Sequence, residues 1–333
     1  MRKAYITIIS ELSKLVLSLF LLSVLVFTMS RLAPGDPLYS YYGDQVERMS
    51  TQEQEAARER LGLHAPIPAQ YVQWIKGAVC GDFGISYKYK RDVRAVIAER
   101  IGNTLLLGGI GFVIIFVLAL LLGLFCAWRE DKWADRIICG IGTVTSCIPE
   151  FWLSLLLILV FSVWLGWLPS SGAYTVGMEK DLADRGRHLI LPLAVVVLGH
   201  LWYYAYLVRN RLLEETRADY VLLARMKGLS GRQVLYRHCL RNAIPSYLSM
   251  MAIALPHILG GTYVAETVFS YPGIGTLAYE SARYQDYNLL MLVSLMTGGL
   301  VIFGNMLARI INERIDPRMS IGTGGRSEEV RGF

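Results

Sequence analysis

Long apolar blocks separated by short charged segments run along the whole chain, and their lengths are close to what a bilayer requires. The first, Leu12–Leu32, covers 21 residues, near the ~20 that span a hydrocarbon core as a helix. Further blocks predict spans at Thr104–Trp128, Leu189–Val208, Ser246–Phe269 and Leu289–Ile311. Ile137–Leu168 is too long for one straight span and holds Pro149. Proline removes a backbone donor and clashes with the preceding turn. This block therefore predicts a lead-in helix over Ile137–Ile148 and a main span over Pro149–Leu168. The expectation is an all-α integral membrane protein with six transmembrane helices.

The segment between the first two spans, residues 33–103, is polar enough to carry structure of its own. Thr51–Leu61 has helical character, with Ser50 as N-cap and Gln52 and Glu53 in the first turn. Gln70–Ala78 is a second short amphipathic helix, and Pro34, Pro37, Pro66 and Pro68 punctuate the segment. It reads either as a cap that meets an external partner or covers a pathway, or as a connector packed on the helix ends. The tail 320–333 has the composition of a disordered segment. The start imitates a signal peptide, but no small-x-small cleavage site follows, so Leu12–Leu32 reads as a retained span.

Composition sharpens this picture. Hydrophobic residues make up 54% of 333 positions, above the ~45–50% typical of soluble domains. The net charge of +6 does not indicate nucleic-acid binding, because the basic residues gather at the ends of apolar blocks. With both termini in the cytoplasm, 19 of the 33 Lys and Arg fall on the inner side and four in the two short outer loops. The other ten lie in the long loop, whose length exempts it from the positive-inside rule. The predicted layout is a cytoplasmic N-terminus (1–11), a first span (12–32), an external loop (33–103) and a core of five spans (104–319). The five cysteines form no disulfide framework and read as small buried hydrophobes.

The most informative segment is the cytoplasmic loop 209–245. It carries eight Lys and Arg against Glu214, Glu215 and Asp219. Thr216–Lys227 has helical spacing through Tyr220, Leu223, Ala224 and Lys227, with Val221 and Leu222 broadening the apolar side. Glu214, Glu215 and Asp219 suit a helix N-terminus, and Arg225 and Lys227 a C-terminus. Gly228 reads as the C-cap, because it takes positive φ at low cost. A second helix is expected over Arg232–Asn242, stopped by Pro245.

The residues Asp219, Tyr220, Ala224, Arg225, Lys227, Gly228 and Leu229, followed by Arg237, His238, Leu240, Arg241, Asn242 and Ala243, resemble a known pattern. It is that of the cytoplasmic EAA loop in permease subunits of ABC importers. The chain is most similar to the first permease of the pair in the dipeptide, oligopeptide and nickel branch. Arg31–Leu38, Leu61–Tyr71, Gly81–Ser86, Ile148–Trp152, Trp167–Gly172, Gly260–Gly275 and Asp316–Arg318 follow the same family pattern in order. The resemblance implies the type I importer permease fold and a coupling helix that docks on an ATPase subunit. Glu215, Asp219, Tyr220, Leu223, Ala224, Arg225, Lys227, Gly228 and Leu229 would form that coupling site, supported by Arg237, Arg241 and Asn242. It also implies a second homologous permease in a heterodimer, two ATPase subunits holding ATP and Mg, and an external substrate-binding protein. The setting would be a bacterial or archaeal cytoplasmic membrane. Di- and oligopeptides are the expected cargo, with nickel or a metal chelate as the alternative.

Residues inside the spans offer further candidates. Gly260 and Gly261 permit close helix contact. Glu266 is an intramembrane acid and so either a pathway residue or, as the preferred reading, a structural hydrogen-bonding or ion-pairing group near the Pro272–Gly275 turn or Arg283. Glu150, beside Pro149, would accept freed backbone donors or pair with an arginine. His200 and His257 lie in spans, but no close ligand spacing accompanies them, so no metal site is expected. Trp202, Tyr203, Tyr204 and Tyr206 either line a pathway or pack between helices. No phosphate-cradling loop and no nucleophile–base motif occurs in the chain. An ATPase or an intramembrane enzyme is therefore disfavoured, as is an ion-coupled carrier, which would carry more buried acids and repeat symmetry.

Overall fold

The computed structural model describes residues 2–32, 36–60 and 62–315. The expectations for the tail 320–333, for Pro34 and for Asp316–Arg318 lie outside those residues. The described residues are almost wholly helical: α1 (Arg2–Leu32), α2 (Pro37–Tyr42), α3 (Thr51–Arg60), α4 (Ile67–Val79), α5 (Val93–Trp128), α6 (Trp133–Ser146), α7 (Glu150–Leu157), α8 (Leu182–Thr216), α9 (Asp219–Met226), α10 (Gly231–Val234), α11 (Leu240–Val268), α12 (Ile274–Arg283) and α13 (Tyr287–Ile315). Five helical stretches are long and apolar enough to cross a membrane: Leu12–Leu32, Val93–Trp128, Leu182–Thr216, Gly231–Val268 and Tyr287–Ile310. The sixth is the bent pair Trp133–Ser146 and Glu150–Trp164.

The spans fall where the apolar blocks put them, with two instructive differences. The break at Pro149 is a bend of 99°, far beyond a proline kink. Pro149 is itself extended (φ −61°, ψ 139°) and caps α7 rather than sitting inside a helix. Beyond Leu157 the helix continues as a π-helical stretch, Ile158–Trp164. The second difference is Pro245. It does not stop the helix; α11 runs through both Pro245 and Pro256. The carbonyl left over by its missing N–H belongs to Arg241, which is exposed, so solvent can satisfy it.

Two compact units divide the chain, residues 1–105 with 270–303 and residues 106–269 with 304–333. In the first, Val93, Val96 and Ile97 pack with Ile274, Leu277, Leu289 and Val293. Buried Asp286 accepts hydrogen bonds from the Ser86 hydroxyl and, at 3.1 Å, from the Lys88 N–H. Glu280 takes the Tyr89 hydroxyl and the Lys88 ammonium, the latter at 2.8 Å. Burial works against its charge, but those partners outweigh burial and hold the carboxyl below its ordinary value. The two helices expected in this segment form. Ser50 closes a capping box with Glu53, through Ser50 N–H to Oε2 at 2.7 Å and Glu53 N–H to Oγ at 3.3 Å. α4 rests on α1 through Tyr71 and Trp74 against Phe27.

In the second unit, α5, α8 and α11 approach closely at glycines. A Cβ at Gly123 would lie 2.5 Å from Val208 Cγ1 and 3.1 Å from the Arg209 backbone nitrogen. α6 is fixed to α8 by one buried ion pair. Asp135, 2% exposed, receives Arg209 in a two-pronged grip, Nε to Oδ1 at 2.7 Å and Nη2 to Oδ2 at 2.5 Å. The Asp131 N–H adds a third bond at 3.1 Å. Removing one member of such a pair strands the other charge. Asp135→Ala is therefore expected to cost about 3–5 kcal/mol. In a double-mutant cycle Arg209→Ala should add little to it, measured by thermal unfolding of the purified protein in detergent.

Candidate functional site

The loop after α8 is built as a hinge, a short helix and a second hinge. α8 ends at Thr216, and Arg217 and Ala218 separate it from α9. Glu214 and Glu215 therefore stand in the last turn of α8, not at the start of the next helix as their charge suggested. Arg211 compensates both, at 3.0 Å to Glu214 and 2.9 Å to Glu215. Glu215 also accepts the Tyr220 hydroxyl at 2.6 Å, tying α9 back to α8 across the hinge. Burial, and then this bond to a carboxylate, push the Tyr220 phenol above its ordinary value, against a smaller opposing effect of Asn242.

α9 closes in a Schellman arrangement. The Gly228 N–H bonds to Arg225 O at 2.9 Å and the Leu229 N–H to Ala224 O at 3.3 Å. Gly228 has φ +80°, in the region that disfavours a side chain, although a Cβ there would meet nothing within 4 Å. The requirement is one of backbone conformation and not of space. Ser230 then opens α10 with a capping box to Gln233, and a π-helical turn, Leu235–Cys239, feeds α11.

Each face of α9 has a different environment. Val221 and Ala224 are buried with Leu124 and Ala127 of α5, with Val208, Leu212 and Leu213 of α8, and with Val234, Leu235, Cys239 and Ala243. On the other side Leu222, Leu223 and Met226 are 65%, 55% and 77% exposed, and Arg225 and Lys227 are exposed beside them. Three large apolar side chains uncovered on one two-turn helix mark an unfilled contact. Leu222 read in the sequence only as part of an apolar side, and Met226 was missed. Helical spacing identifies an apolar stripe, but not which edge of it the bundle covers. Arg237, Arg241, Asn242 and Leu229 line a 480 Å³ cavity together with His238.

A second cavity of 780 Å³ lies against α5, α8 and α11, lined among others by Tyr203, Tyr204, Asn242, Tyr247 and His257. Of the aromatic run on α8, Tyr203 and Tyr204 reach this cavity. Trp202 instead packs against α6, where a Cβ at Gly142 would lie 3.3 Å from its ring. Glu266 is fully buried and accepts the Thr262 hydroxyl at 3.0 Å. Glu150 stands near histidine and not arginine: its Oε1 lies 3.9 Å from His200 Nδ1. The His200 and His257 rings are 5.8 Å apart. A Cβ at Gly261 would lie 3.3 Å from His200 Nε2, whereas one at Gly260 would meet nothing within 4 Å.

Comparison with known proteins accounts for this architecture. Residues 119–321 match the family described as binding-protein-dependent transport system inner membrane component, and residues 6–108 match its N-terminal membrane component. The oligopeptide transport system permease protein AppB of Bacillus subtilis is 33% identical over 299 residues, covering 90% of this chain and 94% of that protein. A putative peptide permease protein of Brucella ovis is 35% identical over 304 residues, covering 91% and 95%. Among solved structures, a chain of the inward-facing MetNI methionine ABC transporter superposes with a TM-score of 0.51 at 18% identity, covering 66% of this chain and 97% of that one. That likeness establishes the type I importer permease fold. The chain belongs to the binding-protein-dependent transport system inner membrane component family, and is a multi-pass permease subunit of an ABC transporter that works with membrane and ATPase partners rather than an enzyme.

Proposed function

We propose that this permease carries di- or oligopeptides into the cell, as half of a heterodimeric pathway driven by two ATPase subunits and loaded by an external binding protein. The cargo rests on the printed names of its relatives, which are peptide and oligopeptide permeases. The setting is a bacterial or archaeal cytoplasmic membrane with both termini inside, supported by the 19 of 33 Lys and Arg on that side. The layout follows: a first span at 12–32, an external segment at 33–103, and a core at 104–319 holding the coupling loop 209–245.

The observation that carries the coupling assignment is the division of α9 into a clamped face and an uncovered one. Val221 and Ala224 anchor the helix in the bundle. Leu222, Leu223 and Met226 point away from it, flanked by Arg225 and Lys227, and present an apolar knob with a basic rim to a groove on the ATPase. Glu215, Asp219, Tyr220, Gly228 and Leu229 set the angle of the helix. Arg237, Arg241 and Asn242 support it from the foot of α11. Closure and opening of the ATPases would then move α9 as a lever on the bundle.

Met226→Asp places a charge in the centre of the uncovered face. It should reduce co-purification of the ATPase subunits at least about tenfold, since desolvating an unpaired carboxylate in an interface costs several kcal/mol. Retention of the ATPases at the unmodified level would refute the docking face. Gly228→Pro forces φ near −65° where the chain holds +80°. Gly228→Pro, or charge reversal by Arg225→Glu, should leave the protein in the membrane and uncouple ATP hydrolysis from peptide uptake in proteoliposomes. Normal coupled uptake by both variants would overturn the coupling assignment.

A further inference from the structure

Glu150, His200 and His257 come from three different helices of the second unit, α7, α8 and α11, and from positions 50 and 57 residues apart in sequence. They meet among apolar spans, where ionisable groups are costly and mark function. Two glycines make room for them. A Cβ at Gly199 would lie 2.9 Å from Glu150 Oε1, and one at Gly261 would lie 3.3 Å from His200 Nε2. The carboxylate and the imidazole each rest on bare backbone of a neighbouring helix, in space that any other residue would fill.

The hydrogen bonds fix what this cluster offers. His200 Nδ1 lies 3.0 Å from the Val196 carbonyl oxygen. A carbonyl only accepts, so Nδ1 carries the proton and Nε2 of the neutral ring is an acceptor. Among the described residues no lysine or arginine is paired with Glu150. Its side chain keeps 30% of its exposure, so the carboxylate is reachable. His257, beside His200, also lines the 780 Å³ cavity. The cavity wall is mostly aliphatic and aromatic, with polar groups at Arg211, Asn242, Ser246, Tyr247 and Ser249. Such a wall accepts side chains of many kinds and leaves specificity to a few polar groups.

A carboxylate in an apolar bundle whose nearest polar neighbour is an imidazole, with no lysine or arginine paired to it among the described residues, can take a cation. No group of three or more His, Cys, Asp or Glu among the described residues has the arrangement to hold a metal ion. A primary ammonium fits better: it presents three N–H donors and no acceptor. The cluster supplies a carboxylate oxygen of Glu150, set beside the His200 ring, and the ring of His257. We propose that Glu150, His200 and His257 form a binding station for the free amino group of the cargo, with the rest of the molecule in the cavity that His257 lines. This inference rests on the peptide reading, which makes the N-terminal ammonium the one cation common to every cargo.

The test is uptake into proteoliposomes holding the complete transporter, with dialanine and N-acetyl-dialanine each supplied at a concentration that saturates the binding protein. The readout is the ratio of the two initial rates, which cancels differences in the amount of assembled protein. Glu150→Gln keeps the shape and removes the charge, and should lower the ratio about tenfold, the scale of one lost charge-assisted hydrogen bond. Glu150→Asp, which retains the carboxylate, should recover most of it; a merely structural role would not follow the charge in this way. A ratio in Glu150→Gln equal to that of the unmodified protein, with both peptides accumulated, would overturn the station and leave the peptide reading standing. An unmodified transporter that accumulates neither peptide would overturn both.

Discussion

The burial of Val221 and Ala224 is the contact on which the rest of the second unit's design depends. A helix of eight residues is too short to hold its shape in water, and α9 keeps its shape through tertiary contact. Filling the site between α5, α8 and α11 with a Val side chain contributes about 1.5–3 kcal/mol, and the small Ala224 lets the backbone come close enough for Leu212 and Cys239 to close around it. Polar contacts then fix the orientation. Tyr220 reaches Glu215, Arg211 balances the carboxylate, and the bonds at Gly228 and Leu229 close the far end. With both ends fastened and one face clamped, α9 has no soft direction in which to absorb a push on Leu222 or Met226. In the coupling role proposed for it, a load applied there would pass into α5, α8 and α11.

The helix breaks lie where that load has to turn. Arg217 and Ala218 part α8 from α9, Gly228 parts α9 from α10, and a π-helical turn joins α10 to α11. Each is a short defect between stiff rods. Pro149 makes the same kind of corner between α6 and α7. At its other end, α6 is held to α8 by the ion pair of Asp135 with Arg209. Arg209 directly follows Val208, a member of the cluster that clamps α9. The buried charge and the apolar clamp are thus adjacent on one helix, and α6 is attached to the same part of α8 that receives α9.

Much of this was readable in the sequence, for reasons that can be stated residue by residue. Apolar blocks of about 20 residues have few alternatives to spanning helices, so the spans were legible. Ser50 with Glu53 and Gly228 after Lys227 are local signals, and each depends on neighbours within four positions. Pro245 was misread because a long helix can tolerate a proline where the carbonyl it leaves over finds another partner, and exposure of Arg241 is not visible from spacing. The two sides of α9 could not be told apart either. Val221 and Leu222 are adjacent, equally apolar, and opposite in burial. The meeting of Glu150, His200 and His257 was hidden more completely, because it arises from three helices and depends on two glycines whose purpose is to be empty.

α8 joins the two functional ends of the second unit. His200 and Leu212 are 12 residues apart on one uninterrupted helix, which at ~1.5 Å per residue places them about 18 Å apart along its axis. A continuous helix transmits displacement along that distance with little loss, because each turn is hydrogen-bonded to the next. Filling the space at Gly261 would press on α8 through His200, and filling that at Gly199 would press on α7 through Glu150; α8 and α11 both continue into the clamp around Val221 and Ala224. The reverse also holds, since coupling between two sites is reciprocal for binding free energies. A change at Leu222 or Met226 that shifts α8 relative to α11 would alter the room between Gly261 and the His200 ring resting on it. If the station and the docking face act as proposed, the unbroken stretch of α8 between His200 and Leu212 is the element they share.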